Sequence, residues 1–194
     1  MLRRIIDKIR EIQSENGDTI TMVAIEGGGG SGKSTLASQI VFELQGVQIV
    51  HMDDFYKLSE FRKIKDLSVA PAGYEYDIDR LISEVIKPLL SNKTAKYQIN
   101  DWGSTCLTDS REVSPTGILL IEGCYSMINQ LRDFYQLKIF VCCDQSIRLK
   151  RGLERDGDSA LQFWINWMAG EDKYFKEQRP KEASDFIFNG EGVI

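Results

Sequence analysis

Short apolar runs alternate with longer stretches of helical periodicity along most of the chain. Continuous short apolar runs are typical of strands buried on both faces of a parallel sheet. Apolar residues that recur three and four positions apart are typical of helices that cover such a sheet. The alternation therefore predicts an α/β fold with helices on both faces of a parallel sheet. The predicted strands are residues 20–25, 47–52, 118–121, 137–142 and 186–188, and the predicted helices are residues 33–44, 77–90, 146–155 and 159–178.

The first 18 residues carry their apolar positions on one helical face, separated by charges, and predict an N-terminal amphipathic helix over residues 1–18. Such a helix can lie on a membrane surface, but we expect it to cover one edge of the core. The segment lacks the unbroken apolar run of a secretory signal, and no apolar stretch in the chain is long enough to span a bilayer. The apolar face consists of Leu2, Ile5, Ile6, Ile9 and Ile12.

Two stretches, residues 57–76 and 92–115, have weak periodicity. In a sheet protein of this kind, long connections commonly carry substrate contacts or act as lids. We therefore predict that both are substrate-side loops of a single domain spanning residues 1–194.

Composition excludes several classes of function. The 194 residues include 24 Lys and Arg against 29 Asp and Glu, a net charge of −5. A negative chain repels phosphate backbones and anionic lipid, so neither a nucleic-acid partner nor a membrane is expected. The four cysteines form no Cys-x-x-Cys pair, and a single histidine cannot complete a usual zinc set. These features favour a reduced, cytoplasmic protein.

The strongest motif is a glycine-rich loop between the first predicted strand and the following helix. Residues 27–34 read GGGGSGKS and match G-x-x-x-x-G-K-[ST] at every fixed position. A chain that wraps a triphosphate must point successive amides inward, which glycine permits, and the helix N-terminus adds its dipole. The alternative is a glycine-rich loop without a ligand. The motif predicts ATP and Mg²⁺ binding by Gly27, Gly28, Gly29, Gly30, Ser31, Gly32, Lys33, Ser34 and Thr35.

Within this loop we expect Lys33 to reach the β- and γ-phosphates, Ser34 to ligate Mg²⁺ and Thr35 to meet the α-phosphate. The motif is shared by GTPases, transporter ATPases, motor ATPases and small-molecule kinases. The guanine signature N-K-x-D is absent, because residues 92–95 read NKTA, and no LSGGQ-like signature occurs. Motor ATPases usually place Asp where Glu122 follows the strand 118–121.

A second acidic element, Asp53 and Asp54 followed by Phe55 and Tyr56, comes directly after the second predicted strand. Carboxylates at the carboxyl end of a parallel strand face the same crevice as the glycine loop. A kinase needs a group there that orients the attacking hydroxyl and takes its proton. Asp53 is the predicted base, and the alternative is that Asp53 or Asp54 caps a turn.

These elements together resemble the uridine kinase/phosphoribulokinase family from about residue 24 to the C-terminus. The resemblance is carried by GGGGSGKST, MDDFY, YEYDIDRL, LLIEGCYS, RLKRGLERDG and WMAGEDKYF. It implies a P-loop kinase fold with a five-stranded parallel sheet and a small lid. It also implies ATP-dependent phosphorylation of an alcohol, commonly the 5′-hydroxyl of uridine or cytidine, and a possible homo-oligomer.

The same resemblance assigns roles to individual positions. Asp53 looks like the family's general base, and Glu122 looks like the acidic residue that helps to hold Mg²⁺. Arg148, Arg151 and Arg155 fall in the lid-like run at residues 146–158, where lid arginines clamp the transferring phosphate, with Arg151 and Arg155 ranked above Arg148. The alternative for these arginines is an exposed helix face that pairs with neighbouring carboxylates.

The acceptor side departs from the family pattern. Uridine-cytidine kinases usually carry Asp-His-Pro before the helix that starts near Asp77, but here residues 72–77 read AGYEYD. Trp102 stands near the place of a family histidine. Asp77 can bind sugar hydroxyls or cap the helix, while Tyr97 and Trp102 can stack on a ring. Tyr56 and Glu122 complete the predicted substrate contacts.

The small-molecule acceptor is therefore left open between a nucleoside and another alcohol such as pantothenate, ribulose phosphate or glycerate. Two other classes remain as hypotheses: a nucleotide-dependent regulatory protein, and a degenerate homologue that only binds metabolites. The intact Lys33, Ser34, Asp53 and Glu122 argue against the second of these.

Overall fold

The computed structural model describes residues 1–100, 102 and 105–192. The strands are β1 (Thr21–Glu26), β2 (Val47–His51), β3 (Ala95–Gln98), β4 (Ser110–Val113), β5 (Ile118–Glu122), β6 (Leu137–Cys142) and β7 (Phe186–Asn189). The helices are α1 (Leu2–Asn16), α2 (Lys33–Glu43), α3 (Ile78–Arg80), α4 (Lys87–Leu90), α5 (Gln145–Asp156) and α6 (Leu161–Gln178), and a π-helical turn, Leu81–Ile86, joins α3 to α4.

Five strands form one parallel sheet in the order β2-β5-β1-β6-β7. The predicted α/β fold with a five-stranded parallel sheet is confirmed. β1 lies at the centre, between β5 and β6, so the loop that follows it leaves the middle of the carboxyl edge. The register pairs Glu122 of β5 with both Ile25 of β1 and His51 of β2. The ends of three strands therefore meet at one place.

Alternate residues of the central strands belong to two separate apolar clusters, one on each face of the sheet. Met22 and Ala24 of β1 pack with residues of α3, α4 and α6 on one face. Val23 and Ile25 pack with residues of α1 and α2 on the other face. Because both faces are covered, all six residues of β1 are buried.

The predicted N-terminal helix is formed as α1, two residues shorter than expected at its C-terminal end. Its side chains Ile5, Ile6, Ile9 and Ile12 are buried in the same cluster as Val23. The helix therefore covers the sheet, as the pattern predicted. Within the part of the chain that the structure describes, no helix has the length and apolar character needed to cross a membrane.

Within residues 92–115, which the sequence predicts to be a substrate-side loop, β3 and β4 form an antiparallel pair. Ala95 and Tyr97 of β3 are buried, whereas Lys96 and Gln98 are exposed. This alternation is the period-2 pattern of a strand with one face covered. It spans only four residues, which is too short to stand out from loop sequence.

Candidate functional site

The carboxyl edge of the sheet borders a cavity of about 670 Å³. The loop after β1, the turn after β2 and the end of β5 supply one side of it, and α5 and α6 supply the other. Twelve residues predicted from sequence line this cavity, so distant segments of the chain converge as expected. They are Gly29, Gly30, Gly32, Lys33, Ser34, Thr35, Asp53, Tyr56, Trp102, Glu122, Arg151 and Arg155.

The glycine loop forms a turn of backbone amides in front of α2. Gly30 and Gly32 have φ values of 73° and 96°, which side chains with a Cβ rarely adopt. The Nζ of Lys33 donates a hydrogen bond to the carbonyl oxygen of Gly28 at 3.0 Å, and the side chain is only 8% exposed. The ammonium group is therefore held against the loop, beside the N-terminus of α2.

Ser34 and Glu122 meet where α2 faces the end of β5. The Ser34 hydroxyl donates to Oε1 of Glu122 at 3.2 Å, and Nδ1 of His51 lies 2.6 Å from the same oxygen. Burial favours a higher pKa for Glu122, but the hydrogen bond from His51 and the charge of Lys33 outweigh it and lower that pKa. The hydrogen bond to Glu122 raises the pKa of His51. Glu122 is therefore held as a carboxylate.

Asp53 lies in a single 3₁₀ turn, Met52–Asp54, whose N-cap residue is His51 and which has no side-chain cap. The side chain of Asp53 is exposed to the cavity, where the Tyr76 hydroxyl lies 3.3 Å from its Oδ1. The cavity walls desolvate the carboxyl and raise its pKa, against the lowering effect of Lys33. The capping alternative for Asp53 does not describe this geometry.

The structure corrects two predicted substrate contacts. Tyr97 is 2% exposed, its ring stacks on Phe55 with centroids 4.9 Å apart, and its hydroxyl donates to Oδ2 of Asp54 at 2.9 Å. Asp77 accepts a hydrogen bond from the Arg80 amide at 3.1 Å and caps α3. Neither residue lines the cavity. Their roles here are packing and capping, because the β3–β4 hairpin covers Tyr97.

Arg148, expected with Arg151 and Arg155 to clamp the transferring phosphate from the lid, does not line the cavity. Its side chain is buried, and its Nη1 lies 2.6 Å from Oε2 of Glu171 on α6. The other oxygen of Glu171 accepts a hydrogen bond from the Gly29 amide at 2.8 Å. The pair therefore joins α5 and α6 to the glycine loop, and Arg148 does not face the cavity as the two other arginines of α5 do.

Arg151 and Arg155 line the cavity through different contacts. Arg151 donates to the carbonyl oxygens of Gly30, Gly190 and Glu191 at 3.3, 2.9 and 2.7 Å. Arg155 forms a two-bond ion pair with Asp156 at 2.7 and 2.9 Å, the pairing that the sequence left as an alternative. Arg155 is the more exposed of the two, since its side chain is 70% exposed.

A buried carboxyl that the motifs do not identify lies directly before the glycine loop. Glu26, at the end of β1, accepts hydrogen bonds from the amides of Gly27, Tyr125 and Met127 and from the Tyr174 hydroxyl. Burial raises its pKa to about 7, against the lowering effect of these donors. Glu26 thus ties the loop to the segment after β5.

Sequence reasoning also missed several residues of α6. Trp164, Trp167 and Glu171 of this helix all line the cavity. Residues 164 and 171 are two helical turns apart and share one face. A charged residue on the aromatic face of this helix was the signal that could have identified Glu171.

The model of the phosphoribulokinase/uridine kinase family matches residues 22–160. The chain belongs to this family. A uridine kinase from Staphylococcus aureus is 29% identical over 182 residues, which cover 88% of each chain. The family match includes the glycine loop, the Asp53 turn and the end of β5.

Solved structures share the fold. A possible uridine kinase from Bacillus stearothermophilus superposes with a TM-score of 0.74 at 21% identity, covering 96% of this chain and 98% of the other. A D-glycerate 3-kinase from Cryptococcus neoformans superposes with a TM-score of 0.68 at 14% identity, covering 98% and 96%. The fold is therefore that of the P-loop kinases, and it accommodates more than one acceptor.

Proposed function

We propose that this protein transfers the γ-phosphoryl group of ATP to a hydroxyl of a nucleoside, with uridine or cytidine as the first candidates. The observation that carries the proposal is the shared cavity of the glycine loop and Asp53. A phosphoryl-transfer site must hold the donor phosphates and the acceptor hydroxyl against each other in line. The similarity to a uridine kinase from Staphylococcus aureus, 29% identical over 182 residues, supports a nucleoside as the acceptor.

In this proposal the loop amides and Lys33 bind the β- and γ-phosphates. Asp53 orients the acceptor hydroxyl and takes its proton, a role that suits a carboxylate whose pKa is raised above the ordinary value. Arg155, on the exposed side of the cavity, stabilises the charge that develops on the phosphoryl group. Arg151 fixes the loop through Gly30.

Ser34 and Glu122 would hold a magnesium ion. Their hydroxyl and carboxylate oxygens are the hard donors that Mg²⁺ prefers, and Glu122 is kept ionised. Among the described residues no three His, Cys, Asp or Glu side chains converge on one metal position. This fits an ion that takes its remaining ligands from phosphate and water, and that neutralises phosphate charge when bound.

The test is an ADP-release assay with purified protein, ATP and Mg²⁺ across uridine, cytidine, pantothenate, ribulose 5-phosphate and glycerate. We expect turnover that depends on a nucleoside. Turnover with only a non-nucleoside alcohol would support the kinase activity and identify that alcohol as the acceptor in place of a nucleoside. ATP binding in calorimetry without stimulation by any of these acceptors would contradict the proposed activity and favour a nucleotide-dependent regulator.

A further inference from the structure

Among the described residues, the end of the cavity beyond Asp53 is lined by aromatic side chains and by the carboxylate of Glu75. We propose that Glu75, positioned by the buried Arg62, binds hydroxyl groups of the acceptor and makes this end selective for uncharged, ring-bearing polyols over phosphorylated or carboxylated alcohols. The inference rests on the proposed function, because it concerns the acceptor of that reaction.

The walls of this end are flat side chains from three segments of the chain. Tyr56 and Tyr76 stack with centroids 4.5 Å apart, next to Asp53. Trp102 and Trp167 meet edge to face with centroids 5.6 Å apart. Tyr56, Tyr76, Trp102 and Trp167 all line the cavity. A slot with such walls favours a planar ring, which buries apolar area against them.

Arg62 joins the polar and the aromatic parts of the slot. Its Nη1 lies 3.5 Å from Oε1 of Glu75, and their side chains are 8% and 14% exposed. The guanidinium also lies 5.7 Å from the ring centroid of Tyr56 and 5.1 Å from that of Trp102, and it donates to the Trp102 carbonyl oxygen. Arg62 does not itself line the cavity, whereas Glu75 does. Arg62 therefore fixes the position of the Glu75 carboxylate from outside the cavity lining.

A carboxylate held at 3.5 Å from one nitrogen of Arg62 keeps acceptor sites for other donors. The groups that supply such donors on an uncharged ligand are hydroxyls and ring N–H groups. Glu75 directly precedes Tyr76, whose hydroxyl contacts Asp53. Asp53 and Glu75 both line the cavity, so one polyol can contact Glu75 through one hydroxyl while presenting another to Asp53.

The charges that line the cavity are separated along its length. Its cationic lining residues within the described chain are Lys33, Arg151 and Arg155, which belong to the glycine loop side and to α5. The acceptor end presents Glu75 instead. Residues 101, 103 and 104, which lie outside the described residues, are Asp, Gly and Ser and add no positive charge. An acceptor that carries a phosphate or carboxylate beside Glu75 meets a like charge, and the nearby cation Arg62 is already paired with Glu75 and does not line the cavity.

The experiment compares uridine with orotidine, which presents the same reacting hydroxyl and carries a carboxylate on the ring, in wild type, Glu75→Gln and Glu60→Gln. Glu60 is an exposed glutamate of the same loop and serves as the matched control. For wild type we expect kcat/KM at least about 10-fold higher with uridine. We expect Glu75→Gln to raise the KM for uridine about 10-fold, the size of one hydrogen bond to a charged group, and to reduce the preference over orotidine. The KM for ATP should stay unchanged, whereas a loss of folded protein would lower the apparent kcat and leave both KM values as they are in wild type.

Calorimetry in the presence of a non-hydrolysable ATP analogue measures the affinities for uridine and orotidine without turnover. We expect wild type to bind uridine more tightly than orotidine. Two results would overturn this inference while leaving the proposed kinase activity unaffected. One is an equal kcat/KM for uridine and orotidine in wild type, and the other is a KM for uridine in Glu75→Gln that equals the KM in Glu60→Gln. If wild type neither binds nor phosphorylates any acceptor, the proposed function fails and this inference with it.

Discussion

Arg148 and Glu171 form a buried ion pair, 2.6 Å between Nη1 and Oε2, that lies against the glycine loop. The other carboxylate oxygen of Glu171, Oε1, accepts a hydrogen bond from the Gly29 amide. One carboxylate therefore joins α6 both to α5 and to the glycine loop. Removing one partner leaves the other as an uncompensated buried charge. Breaking such a pair costs more than replacing it whole, because the desolvation of the remaining charge is no longer offset.

We therefore expect Glu171→Ala to lower the free energy of unfolding by about 3–5 kcal/mol in urea titration. The double variant Arg148→Met with Glu171→Met should recover most of that loss, because it leaves no buried charge. Both variants should raise the KM for ATP, since neither holds the Gly29 amide. A single variant as stable as wild type would contradict the importance of the pair.

Asp53→Asn tests the proposed base. It keeps the size of the side chain and removes the proton acceptor, so kcat should fall by roughly 10²- to 10⁴-fold. ATP affinity by calorimetry should be unchanged, because Asp53 is assigned to the acceptor and not to the nucleotide. Asp18→Asn, at an exposed position before β1, is the control and should keep full activity. Turnover that survives in Asp53→Asn would remove Asp53 from the proposed mechanism.

Ser34→Ala tests the proposed magnesium site. The loss of one hard oxygen beside Glu122 should raise the Mg²⁺ concentration for half-maximal activity by about 10-fold. Ser38→Ala, one turn further along α2, provides the control, because its hydroxyl bonds only to the Ser34 carbonyl oxygen. The measurement is initial rate against free Mg²⁺ at saturating ATP. Equal Mg²⁺ requirements for the two variants would assign the ion to other ligands.

The buried carboxyl group of Glu26 should make the free energy of unfolding depend on pH. Its pKa is about 7 in the folded chain against an ordinary 4.5, so the folded state binds its proton more tightly than the unfolded state does. Stability from this group is therefore full below pH 4.5 and declines as pH rises towards 7, by about 3 kcal/mol.

Urea titrations between pH 4.5 and 8 should show this slope in wild type and in the exposed-site control Glu43→Gln, but not in Glu26→Gln. The comparison uses the slope and not the absolute stability, because glutamine also changes the hydrogen bonds around Gly27. Identical slopes in Glu26→Gln and wild type would contradict the raised pKa.

Gly152→Ala should destabilise the contact between α5 and α6. In an exposed helix this change stabilises by up to about 1 kcal/mol. Here an added Cβ collides with the ring of Trp164, so the variant should lower the melting temperature and quench or shift tryptophan fluorescence. Glu154→Ala on the exposed face of the same helix is the control. A Gly152→Ala variant more stable than wild type would show that the two helices separate easily.

The parts of the site that could be predicted from sequence are the ones encoded locally. The glycine loop is a contiguous motif, and Asp53 and Glu122 directly end strands whose apolar runs are evident. Parallel strands bring such ends together whatever the details of packing. Their convergence in one cavity follows from the order of segments alone.

The parts that could not be predicted depend on how elements are rotated and packed. Glu171 meets Gly29 across 142 positions, and only the setting of α6 brings them together. Tyr97 was predicted to stack on a ring of the acceptor, but the four-residue strand β3 places its side chain in the core. Arg148 lies about one turn from Arg151 and two turns from Arg155 in the same helix, yet it alone of the three is buried.

The packing of α5 against the glycine loop also restricts side chains at two positions that the motif leaves free. A methyl group at position 28 would occupy the space of the Arg148 guanidinium, and one at position 30 would come within 2.6 Å of the Arg148 carbonyl oxygen. These two positions are thus as restricted as the invariant ones, but by a partner 120 residues away. A larger residue at position 28 requires the Arg148 side chain to move away from Glu171 or to be replaced, so the effects of substitutions at positions 28 and 148 are expected to be coupled.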